Sequence, residues 1–123
     1  MADDTRIEEL RRRVRKDPMS LAFAQLAEEL RCARRLMEAV AVCRVGLEIY
    51  PGYLSARVTL GRCFIDLNRL DDAEKELATV REVAPENLVA IRALAEIRER
   101  RAATAWQTPA SSAGPSTISG RAV

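Results

Sequence analysis

Residues 51–85 read PGYLSARVTLGRCFIDLNRLDDAEKELATVREVAP, a stretch that opens and closes on proline. In its first half, Val58, Leu60, Gly61, Phe64, Ile65 and Leu67 recur at the steps of a helix running from Ser55 to Leu67. In its second half, Ala73, Leu77, Val80 and Val83 do the same from Asp71 to Val83. Asn68 between them suits the left-handed residue that closes a helix. Pro85 ends the second helix, because the residue before a proline is pushed out of the α region. The stretch therefore predicts two helices joined by a tight turn, each with an apolar face to bury.

The pattern extends in both directions. Ser20 to Ala33 carries Leu21, Phe23, Ala24, Leu26, Ala27 and Leu30; Leu36 to Ile49 carries Leu36, Ala39, Val40, Cys43 and Leu47, and Tyr50-Pro51-Gly52 breaks it. Upstream, residues 5–16 hold Ile7, Leu10 and Val14 at helical spacing, with Thr5 and Glu8 as a capping box. Downstream, Asn87 is placed to cap a last helix running to about Arg101, with Leu88, Ile91, Leu94, Ala95 and Ile97 on its face. No segment sustains period-two alternation, so no sheet is expected. Residues 107–123 are mostly Ser, Thr, Pro, Gly and Ala, and such a segment buries too little surface to offset its ordering entropy. A disordered tail over 104–123 is the expectation. Trp106 either folds back on the last helix or anchors a partner.

Pro18, Pro51 and Pro85 mark a period of 33 and then 34 residues, with two helices in each period. Between the prolines, the second copy reads Arg57-x2-Leu60-Gly61-x2-Phe64, then Ala73-x3-Leu77, then Pro85. The first reads Phe23-x2-Leu26-Ala27-x2-Leu30, then Ala39-x3-Cys43, then Pro51, and a third begins with Ile91-x2-Leu94-Ala95. This resembles the tetratricopeptide repeat, W-x2-L-G-x2-Y, then A-x3-F, then P. The resemblance covers residues 5–101. Arg57, Leu30 and Cys43 depart from it where aromatics are usual.

The resemblance implies an all-α, right-handed superhelix of antiparallel helix pairs, an α-solenoid of about six helices. Its parts are an N-terminal capping helix (1–17), full repeats over 20–52 and 53–86, and a solvating helix (87–103), the domain as a whole spanning 18–103. Small residues at Ala27, Gly61 and Ala95 let the first helix of each pair approach its partner, and Ala39 and Ala73 are their counterparts.

Composition narrows the chemistry. The 123 residues are 48% hydrophobic, and 20 basic against 18 acidic residues leave a net charge of only +2. That balance sets up no field typical of a dedicated nucleic-acid binder. Histidine is absent, which removes the commonest general base and the commonest zinc nitrogen ligand. Cys32, Cys43 and Cys63 lack CxxC spacing, so reduced thiols in the cytoplasm are expected rather than disulfides or zinc. The acidic start argues against a signal peptide, and no uncharged run reaches the roughly 20 residues of a membrane span. No cofactor, metal or catalytic activity is expected.

Family members bind extended or helical segments of other proteins in a concave groove lined by the first helix of each pair. Carried over by position, that groove comprises Ala24, Glu28, Arg31 and Cys32, then Val58, Arg62, Ile65 and Asp66, then Arg92 and Glu96. Its three arginines either hold a partner's carboxylates, since guanidinium pairs with them bidentately, or pair along their own helices. Helix spacing favours the second: Arg62 with Asp66, Arg92 with Glu96, Glu28 with Arg31. Val58 and Arg62 stand where a chaperone-tail clamp needs a lysine and an asparagine, so the resemblance does not extend to that role. The expected function is a protein–protein interaction module or assembly adaptor. Two alternatives of other classes stay open. One is association with nucleic acid or an anionic surface through Arg11-Arg12-Arg13-Val14-Arg15-Lys16, which lacks interleaved aromatics for stacking bases. The other is self-association through exposed helix faces.

Overall fold

The computed structural model describes residues 2–111. They form six helices: α1 (Ala2–Lys16), α2 (Ala22–Cys32), α3 (Leu36–Ile49), α4 (Leu54–Asp66), α5 (Leu70–Val83) and α6 (Leu88–Ser111). Two expected boundaries are corrected. α1 begins at Ala2, so Thr5 lies within the helix and is no cap; Asp4 already suits the positive end of the helix dipole. α6 does not stop at Arg101, because Ala102, Ala103 and Ala105 are strong helix formers that extend it. The expected tail thus loses residues 104–111 to α6. Residues 112–123 and the side chain of Trp106 lie outside the described residues, as do the expectations placed on them.

Each helix packs against the next along the chain, and α2 packs on α4 and α4 on α6. α2, α4 and α6 thereby form one close layer. α1, α3 and α5 form a second layer whose members do not pack on one another. A close layer backed by a splayed one curves toward the close side, so α2, α4 and α6 line the concave face.

The turns within the two repeats are built alike. Arg34 (φ 64°) and Asn68 (φ 60°) are both left-handed, as expected for Asn68 and not foreseen for Arg34. The amide of Arg35 donates to the carbonyl of Leu30 (2.8 Å) and that of Arg69 to Phe64 (2.7 Å), the six-to-one bond of a Schellman turn. Asn87 caps α6 as expected, its Oδ1 accepting from the Ala90 amide at 3.0 Å.

One core runs the length of the stack, from Ile7 and Leu10 through Leu30, Cys43, Leu77 and Val80 to Ile97, all essentially inaccessible to solvent. The two glycines on helices fit it for different reasons. A Cβ on Gly61 would come within 2.7 Å of Leu77, which is the close α4–α5 approach expected from the repeat. A Cβ on Gly46 would fall 2.0 Å from the Phe23 ring. That ring lies parallel to Tyr50, with centroids 6.4 Å apart, and meets Tyr53 edge-on at 5.7 Å. Arg57, where the second repeat lacks the aromatic, instead donates to Glu76 (2.8 Å) and to the Pro51 carbonyl (2.5 Å). Phe64 is covered by guanidinium groups from Arg69 (4.9 Å) and Arg44 (5.6 Å).

Candidate functional site: the concave face

The inner surfaces of α2, α4 and α6 enclose two adjoining hollows that share Arg62 and Val89. The first, of about 270 Å³, is lined by Arg31, Arg62, Ile65, Asp66, Val89, Arg92, Ala93 and Glu96. The second, of about 450 Å³, is lined by residues including Ala24, Glu28, Tyr53, Val58, Thr59 and Asn87. Nine of the ten residues placed in the groove from the sequence therefore stand together on this face. Cys32 lines neither hollow. It is exposed at the end of α2, its thiol 3.5 Å from Glu28.

The apolar floor consists of buried Ala24, Val58 and Ile65. Residues not anticipated are Gln25, Thr59 and Ala93, which occupy one repeat position, and Ser55 and Val89, which occupy another. The same period that carried Ala24 to Val58 and Arg92 would have carried these too.

The ion pairs differ from those expected along single helices. Glu28 and Arg31 do pair, at 2.8 Å. Arg31 also reaches across to α4 and binds Asp66 at 3.2 Å, and Arg34 joins the same carboxylate at 3.5 Å. Glu96 pairs with Arg100 at 2.8 Å, not with Arg92. Arg100 meanwhile donates to the carbonyl of Ile65 at 2.9 Å, which also accepts from the Asn68 amide at the end of α4. The correction has a physical reason. Packing brings Arg31 and Arg34 to Asp66 from outside its helix, whereas Glu96 takes Arg100, one turn further along α6, over Arg92, one turn before it.

The outcome is a face whose three acids are engaged and two of whose three arginines are not. Among the described residues, Arg62 and Arg92 carry no hydrogen bond and no ion pair, although the Arg62 charge is felt by Glu28. Partial burial alone would raise the Glu28 carboxyl; the Arg31 hydrogen bond and charge, helped by Arg62, outweigh it and hold it below its ordinary value. The Arg31 guanidinium is held more firmly protonated, chiefly by its hydrogen bond to Glu28.

The other candidates fare differently. Arg11 turns inward from the basic run to Glu38 (2.7 Å) and Glu8 (3.4 Å), leaving Arg12, Arg13, Arg15 and Lys16 exposed. Cys43 and Cys63 are buried; burial, with each other's proximity for Cys43, pushes their thiols up to about 12 and about 11. Among the described residues no group of acids and cysteines is placed to hold a metal, and no helix is long and apolar enough to cross a membrane.

Stacked helix hairpins of this length, with small residues at the helix crossings and a concave inner layer, define a helical repeat protein. Residues 33–98, more than half of the chain, match the tetratricopeptide repeat family, and the chain belongs to it. Among solved structures, the first such domain of Spaghetti (RPAP3) bound to the HSP90 peptide SRMEEVD is similar over 82% of this chain and 81% of that one (22% identity, TM-score 0.78). The second domain of human RPAP3, in complex with the HSP70 peptide SGPTIEEVD, matches over 78% and 81% (24% identity, TM-score 0.73). The first domain of human RPAP3 matches over 85% and 84% (21% identity, TM-score 0.79). Identity at this level speaks for the fold alone. A comparison with curated proteins finds no match.

Proposed function

We propose that this protein is a protein–protein interaction module, an assembly adaptor or scaffold that acts by binding rather than catalysis, and that it takes an acidic segment of a partner along its concave face. The observation that carries this is the pair Arg62 and Arg92. They flank one hollow over an apolar floor, with every neighbouring carboxylate already bound elsewhere. An arginine with no partner of its own loses nothing when it pairs with an incoming carboxylate, and its planar fork favours bidentate contact. Ile65 and Val58 beneath offer burial to an apolar side chain of the same segment. The peptides named with two of the structural neighbours both end in EEVD, which is consistent with acidic ligands on this fold. Here the carboxylates would meet guanidinium groups, since Val58 and Arg62 occupy the positions of the family's lysine and asparagine. Three free thiols agree with a reducing compartment such as the cytoplasm.

The test is affinity capture from the source cell's lysate with the native chain and with Arg62→Glu plus Arg92→Glu. The native chain retains a partner in a salt-sensitive manner, and the reversed chain loses it while keeping its helicity. Capture by the reversed chain at native levels would overturn the concave-face reading.

A further inference from the structure

The loop between α1 and α2 differs from its two repeat counterparts. Counted from the prolines, Met19 stands where the later loops have Gly52 and Glu86. Its side chain is 57% exposed, and that of Leu21 is 50% exposed. The backbone that carries them is largely satisfied within the protein. The Met19 amide donates to the Asp17 carboxylate at 3.1 Å, and the Met19 carbonyl accepts from the Tyr50 hydroxyl at 2.6 Å. The Ser20 amide donates to the Asp17 carbonyl (2.9 Å) and the Ala22 amide to the Ser20 hydroxyl (3.1 Å). Two apolar side chains are thus held outward on a loop that needs little water, as entry into an apolar medium requires. An open, apolar hollow of about 450 Å³ lined by Leu21, Ile49, Tyr50, Pro51 and Tyr53 continues the same surface.

The charges beside this tip identify what it meets. In the last two turns of α1, Arg12, Arg13, Arg15 and Lys16 are exposed. Among the described residues none of these four side chains has an ion-pair or hydrogen-bond partner. Arg15 stands where α3 and α5 have Glu48 and Glu82, so the charge of the repeat is reversed at this corner. Asp17 is the one acid within residues 12–21, and it is tied to the Met19 amide. We propose that this corner binds peripherally to an anionic lipid bilayer, a surface with negative charge outside and an apolar layer beneath it. Met19 and Leu21 enter the boundary between headgroups and acyl chains, and Arg15 and Lys16 meet the headgroup charges. Arg12 and Arg13 lie about one helical turn further out, roughly 5.4 Å, and their long side chains span that distance. Tyr50 and Tyr53 suit the same interfacial level. A nucleic acid would engage the four cations but leave Met19 and Leu21 in water, and residues 12–21 offer no aromatic ring for a base to stack on.

The concave face takes no part in this contact, so partner capture and bilayer binding hold or fail separately. The experiment is co-sedimentation of the full chain with vesicles of equal parts phosphatidylcholine and phosphatidylserine, and with vesicles of phosphatidylcholine alone. The chain is expected to sediment with the mixed vesicles at low salt, to leave them as salt rises, and to stay in solution beside the neutral ones. A cation near an anionic bilayer is worth roughly fivefold in partitioning, so Arg15→Glu plus Lys16→Glu is expected to weaken binding by roughly a hundredfold or more. Lys75→Glu plus Arg98→Glu makes the same change in net charge on α5 and α6 and is expected to bind as the native chain does. Met19→Ser plus Leu21→Ser keeps every charge and is expected to weaken binding by roughly tenfold or more. All the substituted side chains are exposed, and circular dichroism checks that each variant keeps its helices. Absence of sedimentation at low salt, equal sedimentation with both kinds of vesicle, or equal losses in the two charge-reversed pairs overturns the proposal. So does undiminished binding by Met19→Ser plus Leu21→Ser. A low-salt gel shift of an oligonucleotide without vesicle binding also overturns it and assigns the cations to nucleic acid.

Discussion

Gly46 tests the packing account most directly. The first repeat sets a large residue against a small one, Phe23 against Gly46, where the second repeat has Arg57 and Val80 at the corresponding positions. In Gly46→Ala, the helix itself gains about 1 kcal/mol, since alanine is the better helix former by that amount. The added methyl, however, would sit 2.0 Å from two carbons of the Phe23 ring, far inside contact distance. The ring is 4% exposed and flanked by Tyr50 and Tyr53, so it can yield only toward the apolar hollow that it lines with Val42 and Gly46. Overpacking of this kind costs about 1–3 kcal/mol, and a backbone-borne methyl against a trapped ring belongs at the upper end, about 3 kcal/mol. The net is a loss of about 2 kcal/mol, or roughly 8 °C in Tm for a domain of about a hundred residues. Denaturant titration followed by far-ultraviolet circular dichroism measures it. Adding Phe23→Leu makes room for the methyl, so the double variant loses less than the sum of the two single changes. A Gly46→Ala chain as stable as the native one, or more so, would show that the ring moves freely and that α3 does not need its glycine.

Three further outcomes are expected. Arg34→Gly removes a side chain from a left-handed backbone position and should raise stability by about 1 kcal/mol in thermal unfolding, with the exposed tie to Asp66 lost at little cost. Asn68→Val, at the equivalent turn, should lower it by about the same amount, since a β-branched residue tolerates that conformation worst. In a thiol assay one cysteine, Cys32, reacts in the native protein and all three react in denaturant, because Cys43 and Cys63 are buried and their thiols are held protonated. The Glu28 carboxyl is depressed in the folded state, so its stabilising contribution is present above its ordinary value of 4.5 and lost as pH falls through the folded value. Tm should therefore fall below pH 4.5 more steeply in the native chain than in Glu28→Gln, with the two curves converging in acid.

Local signals in the sequence were enough for the helices, their order and the repeat. Apolar spacing fixed most of the buried faces: Ile7, Leu10, Leu26, Leu30, Leu60, Phe64, Leu77 and Leu94 are all in the core, whereas Leu21, Val83, Leu88 and Ile91, expected on the same faces, are exposed near helix ends. Prolines, Asn68 and Asn87 fixed most of the ends, because each acts on the backbone within a residue or two of itself. The period then placed nine of the ten groove candidates on one face, since residues at equal positions in stacked repeats share a surface. Boundaries set by weak signals were less legible. Thr5 offered a cap that the helix runs past, and the alanines beyond Arg101 outweigh the polar residues around them.

What tertiary structure alone decided was partnership among charges. Arg31 is nearest to Glu28 along the chain, but only the stacking of α2 on α4 brings it to Asp66. Arg62 and Asp66 have the right spacing to pair and do not, because Asp66 meets the Arg31 and Arg34 guanidinium groups; Glu96 has Arg92 and Arg100 at equal spacing on its own helix and takes Arg100, which also reaches the Ile65 carbonyl on α4. Arg34 in a left-handed turn and Gly46 beneath Phe23 belong to the same class. A helix face follows from a one-dimensional period, whereas an ion pair or a ring's seat depends on distances across helices that no spacing in the chain encodes.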